Sequence, residues 1–163
     1  MKAFALLTAS ALALAACSSE PAAPTRQAIS EISVNTDLTS VGNPSAVEYW
    51  DNLSADLETA LANQFVNDIS SDGARIEVDV DELSLAESYS EGFGQNSTLS
   101  GRVTVTDMRD APLGTYNVSA SMAQAQAVEP GAQPSTDSAA FYQALVQAFA
   151  QGVDQTINSG TAP

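Results

Sequence analysis

The chain has 163 residues, 44% of them apolar, which gives room for one globular domain and does not suit a disordered chain. Twenty Asp and Glu face five Lys and Arg, His is absent, and the formal charge is −15. Beyond Lys2 the cations are Arg26, Arg75, Arg102 and Arg109, too few for a polyanion, which argues against direct binding to nucleic acid or anionic head groups. The acids are dispersed and read as a solvated surface.

Residues 1–16 begin with Met1-Lys2, continue with an apolar run from Ala3 to Leu14 and end on the small residues Ala15 and Ala16, the layout of an export signal. Ser18, Ser19 and Glu20 follow at once, so the run falls short of the roughly 20 residues a membrane-spanning helix needs. Leu14-Ala15-Ala16-Cys17 closely resembles the lipobox of bacterial lipoproteins. That resemblance implies signal cleavage between Ala16 and Cys17, diacylglycerol on the Cys17 sulfur and acylation of the new amine. An ordinary secretory leader with a spare thiol is the competing reading, but a lone thiol is a liability in an oxidising compartment. Two or three acyl chains would anchor the protein to a membrane without a transmembrane helix. Losing residues 1–16 removes Lys2 and leaves four Arg against twenty acids, a formal charge of −16. In such lipoproteins Asp directly after the lipidated Cys favours inner-membrane retention. The residue here is Ser18, which implies an outer-membrane anchor with the domain in the periplasm.

Residues 17–27 are polar, carry Pro21 and Pro24, and predict a flexible lipidated tether. A single domain is expected over residues 28–158, with residues 159–163 as a tail. Its first strand is expected at about residues 28–35, where Ile29, Ile32 and Val34 alternate imperfectly, Ile32 being out of step. Asn43-Pro44 is a helix entry. Trp50, Leu53, Leu57, Leu61 and Phe65 then describe an amphipathic helix over about 44–69. Ile76, Val78 and Val80 alternate with Glu77, Asp79 and Asp81 in the clearest strand, with one face buried and one acidic. Leu99, Val103 and Val105 predict the next strand, to about Met108. After a turn over residues 110–114, Tyr116, Val118, Ala120 and Met122 predict another. A loop over "VEPGAQPST" leads to a last helix bearing Phe141, Leu145, Phe149, Val153 and Ile157. The order β-α-β-β-β-α predicts an α+β fold: a mainly antiparallel sheet of about four strands with two amphipathic helices on one face.

This order on a lipidated chain resembles the small α+β envelope lipoproteins, among them the lipopolysaccharide-assembly lipoprotein and the auxiliary lipoproteins of envelope transporters. The resemblance implies a non-enzymatic accessory or assembly factor that docks on another envelope protein. A lipopolysaccharide-binding member would need basic residues, whereas this sheet carries Glu77, Asp79 and Asp81, which argues against direct lipopolysaccharide contact. The alternative is a periplasmic binding module that holds a small ligand or cation between sheet and helices.

No catalytic, cofactor or metal site is legible. Nucleophilic triads and zinc or copper sites need His or a spare Cys, and no Gly-rich turn is paired with Lys. "DVDE", residues 79–82, lacks a Gly-centred calcium loop and reads as a solvated strand face. The segment "ESYSEGFGQNS" joins two strands and places Tyr89 and Phe93 among glycines and acids, a candidate partner-contact loop, although the favoured reading folds both rings back over the sheet end. Trp50 lies on the apolar stripe of its helix and reads as core.

Overall fold

A computed structural model describes residues 26–36, 44–85, 97–132 and 138–159. In chain order they form β1 (Ile29–Asn35), α1 (Pro44–Gln64), β2 (Ala74–Ser84), β3 (Thr98–Thr106), β4 (Pro112–Ser121), α2 (Met122–Val128) and α3 (Ser138–Ser159). One sheet holds the strands in the order β1-β2-β3-β4. α1 carries the chain back to the end where β1 starts, so β2 runs parallel to β1, while β3 and β4 add antiparallel. The expected α+β class and mainly antiparallel sheet are present.

Ile29, Ile32 and Val34 break strict alternation because β1 bulges between Ile29 and Glu31. The extra residue, Ser30, donates its hydroxyl to the Gly73 carbonyl, and the next apolar side chain returns to the core side. β2 repeats the device between Val80 and Glu82, so Val80 and Leu83, three apart, are both buried. The core is single. α1 lies over β1 and β2, α3 packs on α1, β3 and β4, and Leu53, Leu57, Leu61, Phe65, Phe141, Leu145 and Phe149 meet the inward side chains of the sheet. Trp50, 8% exposed, belongs to this core, as its position on the stripe predicts.

Three expectations need correction. α1 stops at Gln64 rather than at about residue 69, although Phe65 stays buried. The chain leaves the helix because the Asp68 carbonyl accepts from the Ile29 N–H and the Ser70 N–H donates to the Ile29 carbonyl, so residues 68–70 line the outer edge of β1. β4 begins at Pro112, where a missing N–H is tolerated, and the turn expected over residues 110–114 is confined to residues 107–111. A third helix, α2, starts at Met122, which the alternation placed in the preceding strand. Ser121 stands at its N-cap, and the Gln124 side-chain oxygen accepts from the Ser121 N–H at 2.7 Å.

Candidate functional site

The sheet has two distinct ends. Ile29, Ala74, Thr106 and Pro112 lie at the end where the chain enters, whereas Ser84, Thr98 and Ser121 lie at the far end. Entry is clasped. Arg26 Nε donates to Asp68 Oδ2 at 2.8 Å and its Nη2 to Asp154 Oδ1. Asp154, 9% exposed on α3, also accepts from Gln64 and Asn158, and Asn158 in turn accepts from the Gln27 N–H. Hydrogen bonds to Asp68, and then to Asp154, raise the Arg26 pKa above its ordinary value. The first described residues are thereby fixed to α3 and to the loop after α1.

The β3–β4 hairpin shares this end. The Asp107 carboxylate accepts from the N–H groups of Arg109 and Ala111 at 2.7 and 2.9 Å, a side-chain-closed turn that lets Asp110 adopt φ 61°. Arg75 pairs with Asp110 at 2.7 Å and donates to the Met108 carbonyl, which braces the tip against β2.

The sheet face turned away from the helices carries Glu77, Asp79, Arg102, Thr104, Thr115, Asn117 and Ser119. Glu77 and Asp79 are exposed and both accept from the Asn35 side-chain amide, at 2.8 and 3.3 Å; Asp81 is exposed in the β2 bulge. A solvated polar face accounts for these acids, as the alternation predicts.

Ala16, Cys17, Tyr89 and Phe93 lie outside the described residues. The flanks of the segment holding Tyr89 and Phe93, Leu85 and Ser97, are buried at the far end of the sheet. Toward that end Tyr142 stacks on Tyr49 with ring centroids 4.4 Å apart, and its hydroxyl donates to Asp56 at 2.9 Å. Burial first, and then this hydrogen bond, raise the Tyr142 pKa far above the ordinary tyrosine value. The pair locks α1 to α3.

A cavity of about 210 Å³ opens between α2 and α3, lined by Gln124, Ala127, Val128, Ala148, Gln151, Gly152 and Gln155. It has no charged lining group and lies outside the sheet–helix interface where a ligand was expected. No group of three or more Asp, Glu, Cys or His among the described residues is arranged to hold a metal ion, and no described helix is long and apolar enough to cross a membrane.

No established sequence family and no curated protein matches the chain. Solved structures align with it. A Xanthomonas campestris protein of the family DUF330 superposes with a TM-score of 0.50 at 18% identity, covering 86% of this chain and 90% of that one. A minor lipoprotein from Acinetobacter baumannii aligns at a TM-score of 0.36 and 15% identity, covering 80% and 93%. PelC from Paraburkholderia phytofirmans, solved as a dodecamer, aligns at 0.39 and 10%, covering 75% and 82%. At 18% identity the likeness to the Xanthomonas protein concerns the fold alone.

Sequence reasoning missed Arg26, Asp68 and Asp154, which the tertiary fold brings together across 128 residues. The Asp107-to-Asp110 turn left a readable signal in "DMRD", since Asp closes turns through its own side chain.

Proposed function

We infer that this protein is a lipid-anchored component of a bacterial cell envelope, held by acylated Cys17, whose α+β domain acts by docking on another envelope protein as an accessory or assembly factor. The polarity of the fold carries this reading. The chain enters at the Arg26 clasp, and the flanks of the Tyr89–Phe93 segment sit at the opposite end of the sheet. An anchor on one side and a contact segment on the other suit a bridge between a membrane and a partner. Ser18 after the Cys favours the outer membrane, with the domain facing the periplasm. The proposed action is binding rather than catalysis, and a chain this acidic is not expected to hold nucleic acid or lipopolysaccharide directly.

Mass spectrometry of the native product should find residues 1–16 absent and two or three acyl chains on residue 17. Photocrosslinkers at positions 89 and 93 should capture one defined envelope protein in intact cells. An unmodified thiol would refute the anchor, and crosslinks only between copies of this chain would refute the docking role.

A further inference from the structure

We propose that the entry end of the domain rests on the bilayer that holds the lipid, with Val66 and Ile69 on one side and Met108 and Leu113 on the other as shallow apolar contacts. The proposal rests on the anchoring of Cys17 inferred above. Val66, Ile69, Met108 and Leu113 are 62, 56, 57 and 53% exposed, the large apolar side chains that the described surface leaves in water. All four sit at the end where the chain enters. Val66 and Ile69 belong to the segment after α1 that borders Ile29, and Met108 and Leu113 belong to the hairpin beside Thr106 and Pro112. β1 and β2 lie between the two groups, so the segment at Ile69 and the start of the hairpin on β3 are three strand spacings apart, about 14 Å at roughly 4.8 Å each. They form two separate contacts rather than one pocket, as a flat surface requires, with the clasp at Asp68 beside the first.

The length of the connecting chain specifies the occupant. Arg26 follows Cys17 by nine residues, which span at most about 30 Å fully extended and about 17 Å as a flexible coil. The clasp fixes Arg26, so the short connection ends on this face and delivers it to the lipid surface at an effective concentration in the millimolar range. A contact too weak to hold a membrane alone is populated under that restraint. Charge runs the same way. Three of the four Arg of the mature chain, Arg26, Arg75 and Arg109, are gathered here among Asp68, Asp72, Asp107, Asp110 and Asp154, and Arg26 and Arg75 are paired with Asp68, Asp154 and Asp110, so the excess of acid at this end is small. The sheet face turned away from the helices sets Arg102 alone against Glu77 and Asp79, with Asp81 exposed beside them, and an anionic leaflet repels it more. The Asp107-closed turn keeps the Met108 tip in one shape, so little ordering remains to be done on contact.

The test uses the full lipidated protein in vesicles of phosphatidylethanolamine with phosphatidylglycerol. A blocked Cys17 leaves no other thiol, so Ile69→Cys, Met108→Cys and Glu82→Cys each carry one spin label. Labels at 69 and 108 should become accessible to dissolved oxygen and several-fold less accessible to an aqueous nickel chelate than the label at 82. Equal chelate access at all three positions overturns the docking, and so does loss of access to both reagents at 69 and 108, which marks a protein neighbour instead. The parent chain separates the two inferences. If it takes up label, Cys17 is free and the anchor falls together with the docking; if it does not, a water-exposed Ile69 and Met108 refute the docking alone.

Discussion

Gly73 and Gly114 offer a sharp trial of the packing described above, because a Cβ at either would stand 2.4 Å from its nearest neighbour, yet the neighbours differ in kind. At Gly73 the neighbours are the Ile29 carbonyl carbon, the Ile29 nitrogen at 2.6 Å and the Ala28 carbonyl carbon at 2.7 Å, all backbone. Ordinary contact begins near 3.4 Å, so Gly73→Ala must push the start of β1 outward by about 1 Å. That backbone is held by Ile29 N–H to Asp68, Ser70 N–H to Ile29 and Ala74 N–H to Ala28, at 2.9, 2.9 and 2.7 Å. Weakening three bonds of ~1 kcal/mol each, with ~1–3 kcal/mol of overpacking, gives a loss of about 3–5 kcal/mol after the small entropic gain of Gly→Ala. At Gly114 the neighbour is the tip of the half-buried Tyr116 ring, which can swing aside, and Gly114→Ala should cost under ~1 kcal/mol. Urea unfolding followed by Trp50 fluorescence should move the Gly73→Ala midpoint down by about 1.5–2.5 M at a typical slope of ~2 kcal/mol/M, with Gly114→Ala almost unmoved. Equal losses in the two variants, or a Gly73→Ala loss below ~1 kcal/mol, would refute the claim that β1 is pinned at that point.

Arg26→Ala should destabilise the domain by ~1–2 kcal/mol, a figure kept low because the Arg26 side chain is 46% exposed, and 1 M salt should narrow the gap from the parent in thermal melts. Tyr142 keeps its proton in the folded state above pH ~10, where an unfolded tyrosine loses it, so the unfolded state binds fewer protons there and stability falls as pH rises from about 10. Alkaline melts should show that slope in the parent and a shallower one in Tyr142→Phe, and an unchanged slope would refute the assignment. Thr156 is 1% exposed and its hydroxyl has no hydrogen-bond partner among the described residues, so Thr156→Val should leave stability unchanged or raise it by up to ~1 kcal/mol in calorimetry.

Much of the fold is legible because one sheet face and two helix stripes are buried against one another. Ile76, Val78 and Val80 advertise β2, and the Trp50-to-Phe65 series advertises α1. The misreadings have local causes. Ile32 is out of step because a bulge absorbs Ser30, and no period-2 pattern reveals an inserted residue. α2 was hidden because Met122 continued the alternation of β4, although Ser121 and Gln124 spell a capping box. The end of α1 depends on residues 68–70 bonding to Ile29, some forty positions upstream, which no local propensity encodes. The candidate sites divide differently. Cys17 is announced by its neighbours in sequence, whereas the apolar pairs Val66–Ile69 and Met108–Leu113 gain meaning only once strand register brings them to one end.

The outer margin of β1 is already occupied, since Val34 donates its N–H to Glu58 and accepts from the Ser54 hydroxyl, while residues 68–70 take the amide and carbonyl of Ile29. A strand from a neighbouring molecule therefore finds its opening at β4, where Pro112–Ser121 carries no charged residue. With one joinable rim among the described residues, copies that meet there can pair about a dyad, and the pair then offers no further template. Fibrillar growth needs two such rims, so pairing at β4 does not seed a continuous ribbon.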